Sequence, residues 1–298
     1  MFTFLKEKEN ISNLNYFNEI KNSLYDPLAR DMCRDVNWIS NSLNENYNKF
    51  PIVIGGAGDP VLLIHGFDSC FLEFRRIYPL LKSDFQLIIP DLLGFGFTPR
   101  SSDIIYNPKT IIYHLETLIE KLGINKKIKI VGASMGGSVA LSLSKRLKSK
   151  VDKILLLSPA GLFDKPKKIP FPLNQLGAAF LSLPQVRKNL CKQAFAYPDR
   201  SVGLMEEQIA SIHLGCDGWR NSLASFARSG GFGESIKDMQ KLPTKTICGF
   251  NDRILGEKEL LKINSFKQLN TFILQNCGHL PHLDLPFLID KIIKDFFF

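Results

Sequence analysis

Several features that would point to other kinds of protein are missing from these 298 residues. The six cysteines (Cys33, Cys70, Cys191, Cys216, Cys248 and Cys277) are scattered, and no two form a C-x-x-C pair. That argues against a zinc ribbon or a thioredoxin-like redox site and points to buried, reduced thiols in a reducing compartment. No apolar stretch is long enough to span a bilayer. The opening residues, MFTFLKEKENISNLN, carry acids and asparagines where a secretory signal needs an apolar run. These features point to a cytoplasmic protein. No internal repeat, long linker or low-complexity tract interrupts the chain. The net charge of +9 is spread over dispersed lysines. With no module of interleaved basic and aromatic residues, nucleic acid is not expected as a partner.

What the chain does have is apolar substance: 45% of its residues are hydrophobic, enough for one large core. Residues 1–50 read as a polar, Asn-rich extension that ends in a first strand. Val61 to Ile64, Phe85 to Ile89, Lys127 to Val131 and Val151 to Leu157 are short, nearly continuous apolar runs, the signature of strands covered on both faces. Between them lie helical patterns. Phe71 to Leu81 repeats apolar residues at helical spacing. A second helix starts at Asn107-Pro108, with Asn as its cap and Pro in its first turn, and stops at Gly123. The cluster Gly55-Gly56-Ala57-Gly58 leads into a strand rather than a helix, so a hairpin turn is expected there in preference to a phosphate cradle. The alternation predicts an α/β fold built on a mostly parallel, doubly wound sheet. It breaks at 162–242, a Pro-, Phe- and Leu-rich stretch read as a helical cap, and resumes at 243–298. The core is thus expected over 51–161 and 243–298.

Gly132-Ala133-Ser134-Met135-Gly136 lies between an apolar strand and a helix of small residues. This is the G-x-S-x-G pattern of a nucleophile elbow. A turn that tight lifts the serine hydroxyl clear of the sheet, and the glycines avoid clashes where strand and helix meet. A serine hydroxyl is a weak nucleophile and needs a base, and the base needs an orienting acid. After the cap, Asp252 follows one strand in Gly249-Phe250-Asn251-Asp252, and His279 follows the last strand in Gly278-His279. The order Ser134, Asp252, His279 suits a triad. His282 is a competing base, but His279 comes first after its strand and beside a glycine. Acyl chemistry also needs donors for a developing oxyanion. The backbone N–H groups of Phe67, in His65-Gly66-Phe67-Asp68, and of Met135 are the candidates. His65, Asp68, Phe95, Phe97 and Trp219 are candidate pocket residues, with His65 read chiefly as a holder of its loop. Phe163, Phe171 and Phe180 are further candidates for an apolar lining.

These motifs resemble the α/β-hydrolase fold superfamily from about Gly55 to the C-terminus, in its serine-nucleophile group with a helical cap. The carriers are His65-Gly66-Phe67, the stretch DLLGFGFT from Asp91 to Thr98, the elbow, Gly249 to Asp252, and Gly278-His279. More narrowly, DLLGFGFT, the cap stretch Trp219 to Phe232 and the GHLPH ending at His282 are similar to a cyanobacterial and plant-chloroplast subset of unassigned substrate. The resemblance implies the triad roles and no cofactor or metal. Haloalkane dehalogenases and epoxide hydrolases resemble this scaffold but carry aspartate at the elbow, so Ser134 disfavours both. The expected activity is hydrolysis of a carboxylic ester, with a small hydrophobic ester as the partner. C–C bond hydrolysis and cofactor-free haloperoxidation use the same triad and stay open, as does a ligand-binding receptor on the same scaffold. In the cap, Lys165 to Lys168 with Ile169 to Pro172, and the apolar run Ala178 to Leu183, have two readings: packing onto the core, or contact with a membrane surface.

Overall fold

The computed structural model describes residues 12–40, 49–165 and 167–298. Most of the N-terminal extension read at 1–50 therefore lies outside the described residues, as does Pro166 in the cap. A helix over 12–20 (α1), α2 (Pro27–Met32) and strand β1 (Val36–Ser40) open the chain. Seven further strands follow: β2 (Lys49–Gly55), β3 (Asp59–Ile64), β4 (Phe85–Pro90), β5 (Ile128–Ala133), β6 (Val151–Leu157), β7 (Thr244–Gly249) and β8 (Thr271–Leu274). They form one sheet in the order β1-β2-β4-β3-β5-β6-β7-β8. Only β1–β2 and β2–β4 pair antiparallel. The pairs from β4–β3 through β7–β8 are parallel.

The continuous apolar runs have a direct cause. Leu62 and Ile64 of β3 enter one core, together with α4 (Pro108–Lys121), α5 (Met135–Leu147) and α11 (Gly256–Ser265). Val61 and Leu63 enter another, with α1, α2, α3 (Tyr78–Leu81) and α12 (Pro286–Phe297). Successive strand residues point to opposite faces, and both faces are covered. The α4 start is the one expected: Asn107 Oδ1 accepts from the Thr110 N–H at 3.1 Å, and Thr110 Oγ1 accepts from the Asn107 N–H at 3.1 Å.

Two local expectations are corrected. The turn at Gly55–Gly58 does not close a hairpin, because β4 inserts between β2 and β3. It carries the chain past that strand, so close that a Cβ on Gly56 would sit 2.2 Å from the Phe85 carbonyl oxygen. The stretch from Phe71 to Leu81 is not one helix. It splits into a 3₁₀ turn, Phe71–Phe74, and the single turn of α3. The carboxylate of Asp91 takes the Phe71 N–H at 2.6 Å, fixing the start of the segment.

Between β6 and β7 the chain runs through α6 (Leu173–Leu181), α7 (Pro184–Gln193), α8 (Pro198–Ser201), α9 (Leu204–Ser211) and α10 (Trp219–Ser229). This helical insertion meets the loops at the carboxyl ends of the strands. Ser222 donates to the Gly94 carbonyl at 2.9 Å, and Phe226 packs on Phe67 and Phe95. No helix among the described residues is long and apolar enough to cross a membrane.

All six cysteines are free and buried. Burial raises Cys33 and Cys248 to about 12, and Cys191 and Cys216 to about 11. Unfolded thiols ionise near 8.5. Between that value and 11 to 12 the native state therefore holds protons that the unfolded chain releases, and stability falls as pH rises. We expect urea denaturation at pH 10 to give a stability well below that at pH 8, at roughly 2 kcal/mol per thiol. Equal midpoints at the two pH values would show that the thiols are already exposed.

Candidate active site

Ser134 sits between β5 and α5 with φ 52° and ψ −121°. A non-glycine residue in such a conformation costs about 1–3 kcal/mol and needs support from its surroundings. The support is on both sides. The Ser134 N–H donates to the Leu157 carbonyl at 2.8 Å, and its own carbonyl accepts from Gly137 at 2.9 Å and Ala160 at 3.0 Å. The flanking glycines are obligatory for space: a Cβ on Gly132 would meet the Gly136 carbonyl oxygen at 2.3 Å, and one on Gly136 would meet that of Ile64 at 2.1 Å. Ser134 remains partly exposed.

Three residues far apart in the chain meet here. His279 Nε2 lies 2.8 Å from Ser134 Oγ, and His279 Nδ1 lies 2.8 Å from Asp252 Oδ2. The other Asp252 oxygen accepts the N–H groups of Ile254 at 2.8 Å and Leu255 at 3.0 Å. Burial alone would raise the Asp252 carboxyl. The His279 ring and these two amides outweigh it and hold the group below the usual carboxylate value. Asp252 is therefore ionised at neutral pH and accepts a hydrogen bond from the Nδ1–H of His279, which leaves Nε2 free to accept the serine proton. The loop bearing His279 is seated by its own hydrogen bonds. Its N–H donates to the Ala194 carbonyl at 2.8 Å, and Asp284 Oδ2 accepts the Gly278 N–H at 2.7 Å. A Cβ on Gly278 would lie 2.6 Å from that Ala194 oxygen, so the glycine permits the approach. His282 is elsewhere: buried against Phe74, with Nε2 3.5 Å from Glu73 Oε1.

The loop His65–Asp68 runs alongside the serine. A Cβ on Gly66 would lie 3.2 Å from the Ser134 Cβ. Among the described residues, neither the Phe67 nor the Met135 backbone N–H has a protein acceptor. Three side chains tie this loop down. His65, with no exposed surface, donates from Nδ1 to the Gly66 carbonyl at 2.8 Å and accepts the Leu92 N–H on Nε2 at 3.0 Å. Burial lowers it to about 4, so the ring is neutral, as these two bonds require. Glu73 Oε2 accepts the Gly66 N–H at 3.2 Å.

Asp68 is the third. It is buried at φ 50° and reaches into the helical insertion. Its carboxylate takes Nη1 of Arg187 from α7, His213 Nε2 at 3.0 Å, and Trp219 Nε1 at 2.8 Å from α10. Burial would raise this carboxyl, but His213 and Arg187, with the Trp219 N–H, keep it below the ordinary range.

The pocket assignments are therefore revised. His65, Asp68 and Trp219 have their polar atoms committed to this scaffold and do not offer them to a ligand. Phe97 lies in the core against Phe17 and Phe71. Phe163 packs on Phe266, while Phe171 and Phe180 face outward. Phe95 packs with Phe67 and Phe226 in an aromatic group at the loop His65–Asp68.

Sequence reasoning placed Asp91 just past a strand end but gave it no role. It accepts the N–H groups of Phe71 at 2.6 Å and Phe97 at 2.7 Å, and a Cβ on Gly96 would touch its carboxyl carbon at 2.2 Å. Burial raises it to about 7 against the pull of these amides. Its position at a strand end before a glycine-bearing loop was the available signal. Among the described residues no group of three or more His, Cys, Asp or Glu is placed to hold a metal ion.

The comparisons with known proteins agree with this architecture. The sequence profile of the alpha/beta hydrolase fold matches residues 59–286. The chain belongs to the α/β-hydrolase fold family. Among its relatives, the alpha/beta hydrolase domain-containing protein VTE7 of Arabidopsis thaliana is 29% identical over 83% of this chain and 76% of its own length. The 2-hydroxy-6-oxo-2,4-heptadienoate hydrolase of Pseudomonas putida is 26% identical over 81% of this chain and 90% of its own. A solved meta-cleavage product hydrolase from Pseudomonas fluorescens superposes with a TM-score of 0.70 at 23% identity, covering 84% of this chain and 94% of its own. At that identity the likeness speaks for the fold alone.

Proposed function

We propose that this α/β-hydrolase fold protein is a serine hydrolase that cleaves a carboxylic ester with a hydrophobic acyl group, through an acyl-enzyme. The observation that carries the reading is the unbroken chain from Asp252 through His279 to Ser134, with both links at 2.8 Å. Ser134 Oγ attacks the carbonyl carbon as His279 Nε2 takes its proton. Asp252 steadies the imidazolium that forms. The oxyanion is received by the N–H groups of Phe67 and Met135, aided by the positive end of α5, and a donor of this kind is worth about 3 kcal/mol. His279 then protonates the leaving alcohol, and a water activated by the same ring releases the acid.

The acyl group is assigned as apolar because Phe67, Phe95 and Phe226 gather beside the serine loop. The relatives named as dienoate hydrolases make C–C cleavage the main alternative reading. Against it stands Arg187: this buried cation of the helical cap is neutralised by Asp68 and is not free to hold a substrate carboxylate. The test is a set of p-nitrophenyl esters of rising chain length beside a vinylogous 1,5-diketone acid. We expect turnover of the esters, with kcat/KM rising with acyl length before it falls. Faster turnover of the diketone would transfer the assignment to C–C hydrolysis.

A further inference from the structure

Helix α6 is apolar on the side that faces away from the protein. Asn174, Ala178 and Leu181 turn toward the fold, and Asn174 Nδ2 donates to the Ala224 carbonyl of α10 at 3.0 Å. Leu173, Leu176 and Phe180, spaced three and seven apart, form the opposite stripe and are 58, 60 and 58% exposed. The chain on either side extends this surface: Phe171 is 75% exposed, and Ile169 and Leu183 are 41 and 49% exposed. Single exposed apolar residues are ordinary, but six within fifteen positions form a patch that needs a partner.

The charge beside the patch says which partner. From Lys165 to Pro198 the sequence has six basic residues and no Asp or Glu. Arg187, Lys188 and Lys192 are paired, with Asp68, Glu207 and Asp199. Lys165, Lys167 and Lys168, immediately before the patch, are exposed and join no ion pair among the described residues. Apolar side chains bordered by cations match a bilayer whose acyl layer lies under anionic headgroups. A second copy of this chain would bring three more lysines against these three.

We propose that the stretch from Lys165 to Leu183 docks the protein on an anionic membrane surface, with Phe171, Leu176 and Phe180 entering the headgroup layer and the three lysines holding lipid phosphates. The experiment is sedimentation with vesicles of phosphatidylcholine alone and mixed with phosphatidylglycerol. It uses the wild type, the combined Phe171→Ser, Leu176→Ser, Phe180→Ser variant, and the combined Lys165→Glu, Lys167→Glu, Lys168→Glu variant. The wild type is expected to sediment with the anionic vesicles and to be released by salt. Each variant should lower the partition coefficient about tenfold or more, with the thermal midpoint held. Should the serine variant fail to fold, the lysine variant and the salt dependence decide. Absence of wild-type binding to anionic vesicles would overturn the proposal. So would unchanged binding by the lysine variant, or a wild-type dimer that the serine variant converts to monomer.

Discussion

Replacing Ser134 by Ala is expected to lower kcat on an ester substrate on the order of 10⁶-fold and to leave KM within a small factor. Without Oγ there is no atom to form the acyl-enzyme, and the base His279 loses the proton it is set to receive. Any remaining rate is expected to come from carbonyl polarisation by the proposed donors, the Phe67 and Met135 N–H groups. Stability should hardly change. The strained backbone at Ser134 stays, since alanine meets the same φ of 52°, but a partly exposed hydroxyl is lost at little cost. A thermal midpoint close to wild type, with activity gone, is the expected pair of results. Retained activity in Ser134→Ala would assign the chemistry to another residue.

The second large effect is expected at Asp68, which touches no reacting atom in this account. It is a positioning residue that ties the Phe67 loop to α7 and α10. Asp68→Ala leaves the Arg187 guanidinium buried and unpaired, a loss of about 3–5 kcal/mol, read from urea denaturation. Pairing that change with Arg187→Met should restore part of the stability, because both charges are then gone while Trp219 Nε1 and His213 Nε2 still lack their acceptor. A purely structural role predicts that activity returns as well. Positioning predicts that it does not: in the double variant kcat stays low while KM recovers, because the loop carrying the proposed Phe67 donor is no longer tied to α7 and α10. Full kcat in the folded double variant would reduce Asp68 to a cross-brace. The same carboxylate adds an acid limit. Its native pKa is depressed, so its stabilisation is complete above the unfolded value near 3.9 and is lost as pH falls through the native value.

The sheet, the elbow and the three residues that meet at it were legible from local pattern. Apolar runs report strands covered on both faces, Gly132 and Gly136 report a strand and helix in close contact, and Asp252 and His279 follow strands in the order the family uses. What could not be read was direction and partnership at long range. Asp68 is bonded to residues 119, 145 and 151 positions away, and nothing near any of them signals the pairing. The phenylalanines of the same stretches diverge for the same reason. Phe95 meets Phe67 and Phe226, Phe97 two positions on meets Phe17, and Phe180 meets solvent. The Gly55–Gly58 turn looks like a hairpin in sequence because insertion of β4 is a property of the whole sheet.

Activation of Ser134 by His279 is the centre of the account, and a fluorophosphonate probe tests it most directly. Wild type and His279→Ala, both confirmed folded by circular dichroism, are treated with the probe and read by intact mass and peptide mapping. One adduct is expected on the wild type, on the peptide containing Ser134, and none on His279→Ala in the same time. A folded wild type that takes no probe, or takes it on a different serine, would contradict it.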